Sequence, residues 1–255
     1  MKESVDCEFT AYLAEKDCEI ENGVLIKNRK EFEVLILCFE NNVKIHMTEE
    51  DQSNYPDISE LLNSESYESS NIRWTYREAE TVVDLIDRIP IPKEIQQKLY
   101  DQEKKINQEY VHKKQSANVL LSESEKVGNM FCFKGFHDSP EIVIDHESDH
   151  LQGICIFEVV RQAGIAAAHL LGTPLTGVII IVKSLIEYHN FIEFNIPFLI
   201  KTIPVGKPNK GGLGYIVFDV IQNNVSCVKG YFTGFMFKDK ASYERFTARL
   251  PIIKA

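Results

Sequence analysis

The segment from Asp149 to Gly172, DHLQGICIFEVVRQAGIAAAHLLG, is the longest stretch of this chain with one regular pattern. Gly172 and the nearby Pro174 are typical of the C-terminal end of a helix. Asp149 or Ser148 can act as the N-cap by accepting hydrogen bonds from free N–H groups of the first turn. Apolar residues occur on nearly every face in between. The pattern therefore predicts one long helix that is buried almost all round.

Three polar side chains interrupt this helix: Glu158, Arg161 and Gln162. Their spacing of i, i+3 and i+4 places all three on one face. Burying an unpaired carboxylate or guanidinium costs on the order of several kcal/mol, so we expect these groups either to pair or to function. Spacing alone leaves both interpretations open, a structural ion pair between Glu158 and Arg161 or a functional site.

The polar residues of this helix also form a motif, DH-x-x-G-x-x-x-x-E-x-x-RQA, at Asp149, His150, Gly153, Glu158, Arg161, Gln162 and Ala163. This motif resembles the core motif of the A-factor biosynthesis hotdog family (AfsA-like proteins), whose pattern is close to DHVPGMxLLEAxRQA. Residues 111–136 resemble the stretch that opens a repeat in that family. Two departures stand out. Gln152 replaces the family's Pro, and this chain shows one repeat where typical members carry two.

The resemblance implies an α+β hotdog fold for residues 111–255, in which an antiparallel sheet wraps around a long central helix. The strand pattern agrees with this arrangement, because two strands precede the helix and four follow it. A tight turn is expected at Asn223-Asn224. The predicted strands are 116–121, 129–136, 177–188, 192–203, 213–222 and 225–237.

Residues 1–110 are expected to form a separate acidic α+β region of unknown function. The segments EFTAYLAE, FEVLILCF and VKIHMT are predicted strands, with a hairpin at Asn41-Asn42. A polar surface loop is expected over residues 49–72, with at most a helical turn at 58–62. Helices are expected over residues 75–89, where Pro90 ends the pattern, and over residues 92–109.

Charge and composition exclude several classes of partner. Residues 1–110 hold 13 Lys and Arg against 25 Asp and Glu, and nucleic-acid binding requires basic surface, so we expect no nucleic acid there. No apolar run approaches the roughly 20 residues of a membrane span. The N-terminus has no apolar signal segment, and the six cysteines form no C-x-x-C pair. These features predict a cytoplasmic protein with reduced thiols and no zinc site.

The resemblance also implies roles for the motif residues in acyl-thioester chemistry. The first-turn N–H groups around Gly153 would polarise a thioester carbonyl. Glu158, at a position that is catalytic in the related β-hydroxyacyl-carrier dehydratases, would act as general base with a pKa raised by apolar surroundings. Arg161 would orient Glu158 or hold an anionic group of the second substrate. His150 would lie at the mouth of the site or serve only in the cap region, and Gln162 and Asp149 would contact substrate.

For function, the resemblance implies an acyltransferase that moves a β-ketoacyl group from an acyl-carrier protein or CoA thioester to a small phosphorylated three-carbon acceptor. No cofactor is expected beyond the phosphopantetheine or CoA that carries the substrate. A thioesterase, a β-hydroxyacyl dehydratase and a non-catalytic acyl-binding or scaffold protein remain as alternatives. Asp145 and His146 lie near His150, but we expect no metal. We also expect a homodimer that forms through the hotdog sheets, because a single unit leaves a sheet edge uncovered.

Overall fold

The structure is a computed structural model that describes residues 8–13, 20–39, 43–58, 76–143, 148–205 and 213–248. Its N-terminal part contains β1 (Phe9–Tyr12), β2 (Gly23–Leu25), α1 (Arg29–Phe39), β3 (Val43–His46), α2 (Glu49–Asn54), α3 (Tyr76–Ile86) and α4 (Lys93–Tyr100). Its C-terminal part contains β4 (Glu125–Val127), β5 (Met130–Lys134), α5 (Gly153–Leu170), β6 (Val178–Tyr188), β7 (Leu199–Val205), β8 (Leu213–Gln222), β9 (Val225–Phe237) and α6 (Lys240–Thr247).

The C-terminal strands form one six-stranded antiparallel sheet in the order β4-β5-β7-β8-β9-β6. Helix α5 packs against β7 and β8 on one face of this sheet. Asn223 and Asn224, with φ of 53° and 62°, form the expected tight turn between β8 and β9. This arrangement confirms the predicted α+β hotdog fold, with a central helix on an antiparallel sheet.

The predicted central helix is correct at its C-terminal end and begins later than expected at its N-terminal end. Gly172 has a φ of +115° just after the last turn, a conformation that favours glycine. The N-cap is Gln152, which makes no side-chain cap hydrogen bond, so Asp149 and Ser148 were the wrong candidates. The reason is long-range pairing: the Leu151 N–H donates to the Ile192 carbonyl at 2.8 Å and holds the chain extended there.

Most residues of α5 are buried, in agreement with the prediction that this helix is buried almost all round. By length and composition it is the one described helix that could cross a membrane, but 67% of that window is buried inside the protein. Its apolar residues pack with inward-facing side chains of the sheet in a core that includes Val159, Val160, Ala163, Phe133, Phe218 and Phe232.

The N-terminal strands form a separate three-stranded parallel sheet in the order β2-β1-β3. The segment FEVLILCF belongs to helix α1, so its predicted strand is wrong, and β3 pairs with β1 in parallel. The site of the expected hairpin, Asn41-Asn42, lies outside the described residues. Helix α2 occupies part of the expected loop and is started by a capping box between Thr48 and Asp51. The predicted helix near residues 75–89 is confirmed as α3.

Two further predictions on the way into the hotdog sheet need correction. The polar helix expected over residues 92–109 ends at Tyr100 as α4. The strand expected over residues 116–121 is a 3-10 turn at Ser116–Asn118, followed by isolated bridges at Leu121 and Ser122. The side chain of Gln162 hydrogen-bonds to the backbone of this segment at Asn118 and Leu120. These backbone groups therefore need no neighbouring strand as a hydrogen-bond partner. The second predicted strand is confirmed as β5.

The N-terminal region covers the outer face of the hotdog sheet. Helix α3 packs on β8 and β9, and α4 packs on β5. Outward-facing residues of the sheet share one core with the N-terminal elements, namely Met130, Cys132, Leu199, Ile203, Val205, Val217 and Tyr231. The chain thus has three layers, with α5 on one side of the large sheet and the acidic N-terminal elements on the other.

Candidate functional site

Glu158 is the centre of a dense polar network on one face of α5. Arg161 donates to both of its carboxylate oxygens, from Nε to Oε2 and from Nη2 to Oε1, each at 2.7 Å. The Gln162 amide donates to Oε1 at 2.9 Å, and the Lys113 ammonium lies 2.9 Å from the same oxygen. Only 16% of the Glu158 side chain is exposed. The structural ion pair weighed from the sequence is therefore present, together with a lysine that lies 45 positions earlier in the chain.

This network changes what Glu158 can do chemically. Burial by itself raises the pKa of Glu158, but hydrogen bonds from Arg161, Gln162 and Lys113 outweigh burial and lower the pKa to about 2. The expectation of a raised pKa is therefore wrong, because the surroundings of this carboxylate are cationic and not apolar. A carboxylate with such a low pKa is a weak proton acceptor near neutral pH.

Gln162 holds the segment before β4 against the helix. Its Oε1 accepts from the Leu120 N–H at 2.8 Å, and its Nε2 donates to the Asn118 carbonyl at 2.9 Å. With its bond to Glu158, both N–H groups and the carbonyl oxygen of this buried side chain are used within the chain. Its substrate-binding role stays a prediction, and in this conformation its contacts are structural.

Sequence reasoning missed the residues that face α5 from the 107–120 segment. Lys113 bridges Glu158 and Glu141. Its neighbour His112 has a φ of +55° and contacts His169 near the end of α5, with 2.8 Å between the two Nε2 atoms. A signal was available, because these residues lie in the stretch that resembles the opening of a family repeat. Their distance from the helix in sequence hid the contact.

A second group of candidate residues lines a pocket at the N-terminal end of α5. This half-open pocket has a volume of about 530 Å³ and is lined by His150, Leu151, Gly153, Ile156, Tyr188, His189, Asn190, Phe191 and Ile192. Tyr188 donates from its hydroxyl to the Gly153 carbonyl at 3.3 Å, which places the end of β6 beside the helix start. The lining combines apolar walls with few polar groups, as is common for ligand sites.

His150 has a defined orientation in this pocket. Its Nδ1 lies 2.7 Å from Asp149 Oδ1, and its ring packs against the Phe191 ring with centroids 4.7 Å apart and an angle of 43° between the ring planes. The hydrogen bond from His150 lowers the pKa of the Asp149 carboxyl. Because a carboxylate can only accept, Nδ1 carries the hydrogen of neutral His150 and Nε2 is left with a lone pair.

The structure thus divides the six predicted site residues into two groups. His150 and Gly153 line the pocket, with Asp149 bonded to His150. Glu158, Arg161 and Gln162 lie further along the helix, where they contact Lys113 and the 118–120 segment. The lining of the pocket includes none of these three.

Metal ligation finds no support among the described residues. No group of three or more His, Cys, Asp or Glu there is arranged to hold a metal ion. Asp145 and His146 lie outside the described residues. Cys38, Cys132, Cys155 and Cys227 are buried free thiols, and burial raises the pKa of each.

Solved structures with a similar arrangement are distant in sequence. A hypothetical thioesterase with coenzyme A from Streptococcus pneumoniae TIGR4 has 16% identity and a TM-score of 0.35, covering 45% of this chain and 84% of its own. Thioesterase HI1161 from Haemophilus influenzae has 10% identity and a TM-score of 0.38, with 46% and 78% covered. The protein smu.793 from Streptococcus mutans UA159, bound to acetyl CoA, has 16% identity and a TM-score of 0.34, with 46% and 86% covered. Likeness at this level carries no conclusion about activity.

The comparison with protein families is more specific. No curated protein matches the chain. The model of the A-factor biosynthesis hotdog domain matches residues 95–238, which is more than half of the chain and contains both groups of candidate residues. The six-stranded antiparallel sheet and central helix agree with that match. The chain therefore belongs to the A-factor biosynthesis hotdog family.

Proposed function

We propose that the pocket at the N-terminal end of α5 binds an acyl thioester, with the carbonyl oxygen facing the N–H groups of Gly153 and Ile154. The observation that carries this proposal is the uncapped helix start inside a ligand-sized pocket. The N–H groups of Cys155 and Ile156 already donate to the Gln152 carbonyl, at 2.9 and 3.2 Å. The two preceding N–H groups have no acceptor within the helix and can stabilise a developing oxyanion.

In this proposal His150 is the general base and Glu158 is not. The Nε2 lone pair of His150 is oriented by the Asp149 contact, and a neutral imidazole nitrogen with a free lone pair can accept a proton from a bound hydroxyl group. His150 also lines the same pocket as Gly153. Glu158, with its pKa lowered to about 2, would shape the site only indirectly by holding Lys113 and Arg161 in place.

Within this class, we propose acyl transfer from a CoA or acyl-carrier thioester to the hydroxyl of a small phosphorylated acceptor. Family membership is the support for this choice, because the family model is that of A-factor biosynthesis. His150 would take the hydroxyl proton as the acceptor oxygen attacks the thioester carbonyl, and would return it to the carrier sulfur as the C–S bond breaks and the thiol leaves. Hydrolysis would follow the same course with water as the nucleophile.

The test incubates the intact protein with β-ketoacyl and, separately, β-hydroxyacyl thioesters of CoA or a carrier protein, with and without dihydroxyacetone phosphate, and identifies products by mass. An ester that requires the acceptor supports transfer. Free acid formed equally without acceptor would identify a thioesterase, and loss of water from a β-hydroxyacyl thioester would identify a dehydratase. Unchanged thioester that remains bound would support a non-catalytic acyl-binding role and contradict an enzyme.

Two variants test the assignment of His150 as the general base. His150→Gln should lower turnover by on the order of 10²-fold or more, as expected for loss of a general base, with the fold kept. The matched control is His46→Gln, because His46 is an exposed histidine of β3 outside the pocket. Full activity of the His150 variant would contradict the assignment.

We also propose that two chains pair along β6. This strand of 11 residues hydrogen-bonds to β9 on one side and to no described strand on the other. Large apolar side chains are exposed along it and beside it at the mouth of the pocket, including Val182 (54%), Tyr188 (53%), Phe191 (77%) and Ile154 (61%). An uncovered apolar edge of this length favours pairing with an identical strand. The N-terminal layer covers the outer face of the sheet and leaves this edge open.

Light scattering tests this pairing. The intact protein should have the mass of a dimer, and Val182→Lys should shift it to a monomer because each chain would then place a charge on the shared apolar edge. Val225→Lys is the control, since Val225 is similarly exposed (51%) but lies at the β8–β9 turn. A monomeric intact protein would contradict the proposal. Truncation before residue 110 is a poor test, because it would uncover the apolar outer face of the sheet.

A further inference from the structure

Two histidines hold the 107–120 segment against the far end of α5. The Nε2 atoms of His112 and His169 lie 2.8 Å apart. His169 is 5% exposed, and its Nδ1 lies 2.9 Å from the Thr173 carbonyl oxygen. The Tyr110 ring meets the His169 ring edge-on at 6.4 Å. This contact has no part in the proposed reaction, since it lies at the opposite end of the helix from the pocket.

The hydrogen positions of this pair follow from its partners. A carbonyl oxygen can only accept, so His169 carries its hydrogen on Nδ1 and donates to Thr173. Nε2 of neutral His169 is then an acceptor, and the hydrogen between the rings must belong to Nε2 of His112. Each ring therefore has one defined tautomer, and His112 is the donor.

The backbone conformation of His112 links its contact with His169 to the position of Lys113. His112 adopts a φ of +55°, which is uncommon for a residue with a Cβ and reverses the chain at the end of a 3-10 turn. The next residue is Lys113, whose ammonium contacts Glu141 and lies 2.9 Å from Glu158. The conformation that brings His112 to His169 also brings Lys113 to Glu158.

We infer that His112 and His169 form a clasp that positions Lys113 on Glu158, and that protonation of His169 opens it. A second proton on His169 would go to Nε2, where it would remove the acceptor and oppose two N–H groups. A proton on His112 would go to Nδ1, away from the contact, and would leave the hydrogen bond in place. The clasp therefore responds to the state of His169.

The surroundings of the pair, burial above all, favour its closed, neutral state. Burial lowers the pKa of His169, although its backbone hydrogen bonds act in the opposite direction. The pKa of His112 is lowered by burial first, and then by His169 and Arg161. Both folded pKa values thus lie below the ordinary histidine value of 6.5. Stability from the clasp is complete above that value and declines as the pH falls below it.

Two measurements on the intact protein test the clasp. Nitrogen-15 NMR of the histidine rings at pH 7.5 should show the Nε2–H tautomer for His112 and the Nδ1–H tautomer for His169. Hydrogen exchange, corrected for the intrinsic effect of pH, should show that protection of residues 108–120 falls between pH 7 and pH 5. Central amides of α5 should stay protected over that range and report that the fold is intact. The opposite tautomers, or constant protection, would overturn the inference.

Variants separate the clasp from general destabilisation. His112→Ala should lower the protection of residues 108–120 by about fivefold at pH 7.5, as expected for loss of one hydrogen bond, and should abolish its pH dependence. His112→Gln should restore protection, because its amide can donate to His169, and the pH dependence should remain. His46→Ala should behave like the unaltered protein. The clasp would be refuted if His112→Gln did not restore the protection of residues 108–120, or if the pH dependence persisted in His112→Ala. This test does not depend on enzymatic activity, so it is separate from the test of the proposed function.

Discussion

Glu158→Gln distinguishes a structural carboxylate from a catalytic one. The amide keeps the shape of the side chain but cannot carry the charge that Arg161 and Lys113 contact. The pKa of Glu158 falls from 4.5 to about 2 in the folded protein, and each unit corresponds to about 1.4 kcal/mol. Since some solvent reaches the network, we expect the variant to lose about 2–3 kcal/mol of unfolding free energy at pH 7.

The loss should depend on pH in a defined direction. The folded pKa is lower than the unfolded one, so stabilisation by ionised Glu158 is complete above about pH 4.5 and is lost as the pH falls toward 2. Urea unfolding at pH 7 and pH 3.5 measures this, and the difference between the two proteins should narrow by about 1 kcal/mol at the lower pH. Glu244→Gln is the control, because its ion pair with Lys240 is exposed and should contribute less than about 1 kcal/mol.

Two outcomes would refute this reasoning. If Glu158→Gln unfolds at the same urea concentration as the unaltered protein at pH 7, the network does not stabilise the fold. If the folded variant also loses turnover by on the order of 10²-fold, Glu158 would be the general base after all. Retained turnover with reduced stability would instead support the structural role and leave His150 as the base.

Two further predictions concern the layers and the central helix. Lys201→Met should cost about 3–5 kcal/mol in urea unfolding, because it leaves the buried Asp219 carboxylate without a counter-ion and with only the hydrogen bond from Ser226. The more exposed Lys229→Met should cost about 1 kcal/mol or less, and equal losses would contradict this prediction. Gly172→Ala should destabilise by about 1 kcal/mol because of its φ of +115°, although its Cβ would meet nothing. Gly164→Ala should stabilise the protein by up to about 1 kcal/mol, since its Cβ would find only ordinary contacts at 3.6 Å or more. Thermal unfolding measures both variants, and midpoints that shift in the same direction would contradict these two predictions.

The sequence by itself determined the elements whose signals are local. The apolar run of α5 is longer than a strand, and Gly172 marks its end. The helix can therefore be predicted without knowing which elements pack against it. The β8–β9 pair is equally clear, because two strand patterns flank Asn223-Asn224, and both residues adopt the positive φ of a tight turn. In each case neighbouring residues carry the information.

The tertiary structure decided the rest, because it depends on contacts between distant residues. FEVLILCF is an apolar run with no clear period, and only burial in the N-terminal core makes it a helix. The chemistry of Glu158 was decided in the same way. A carboxylate in an apolar helix predicts a raised pKa, but Lys113 lies opposite it from 45 positions away and, with Arg161 and Gln162, reverses the shift. Electrostatic energy depends on distances in space, and sequence spacing reports these only within one element.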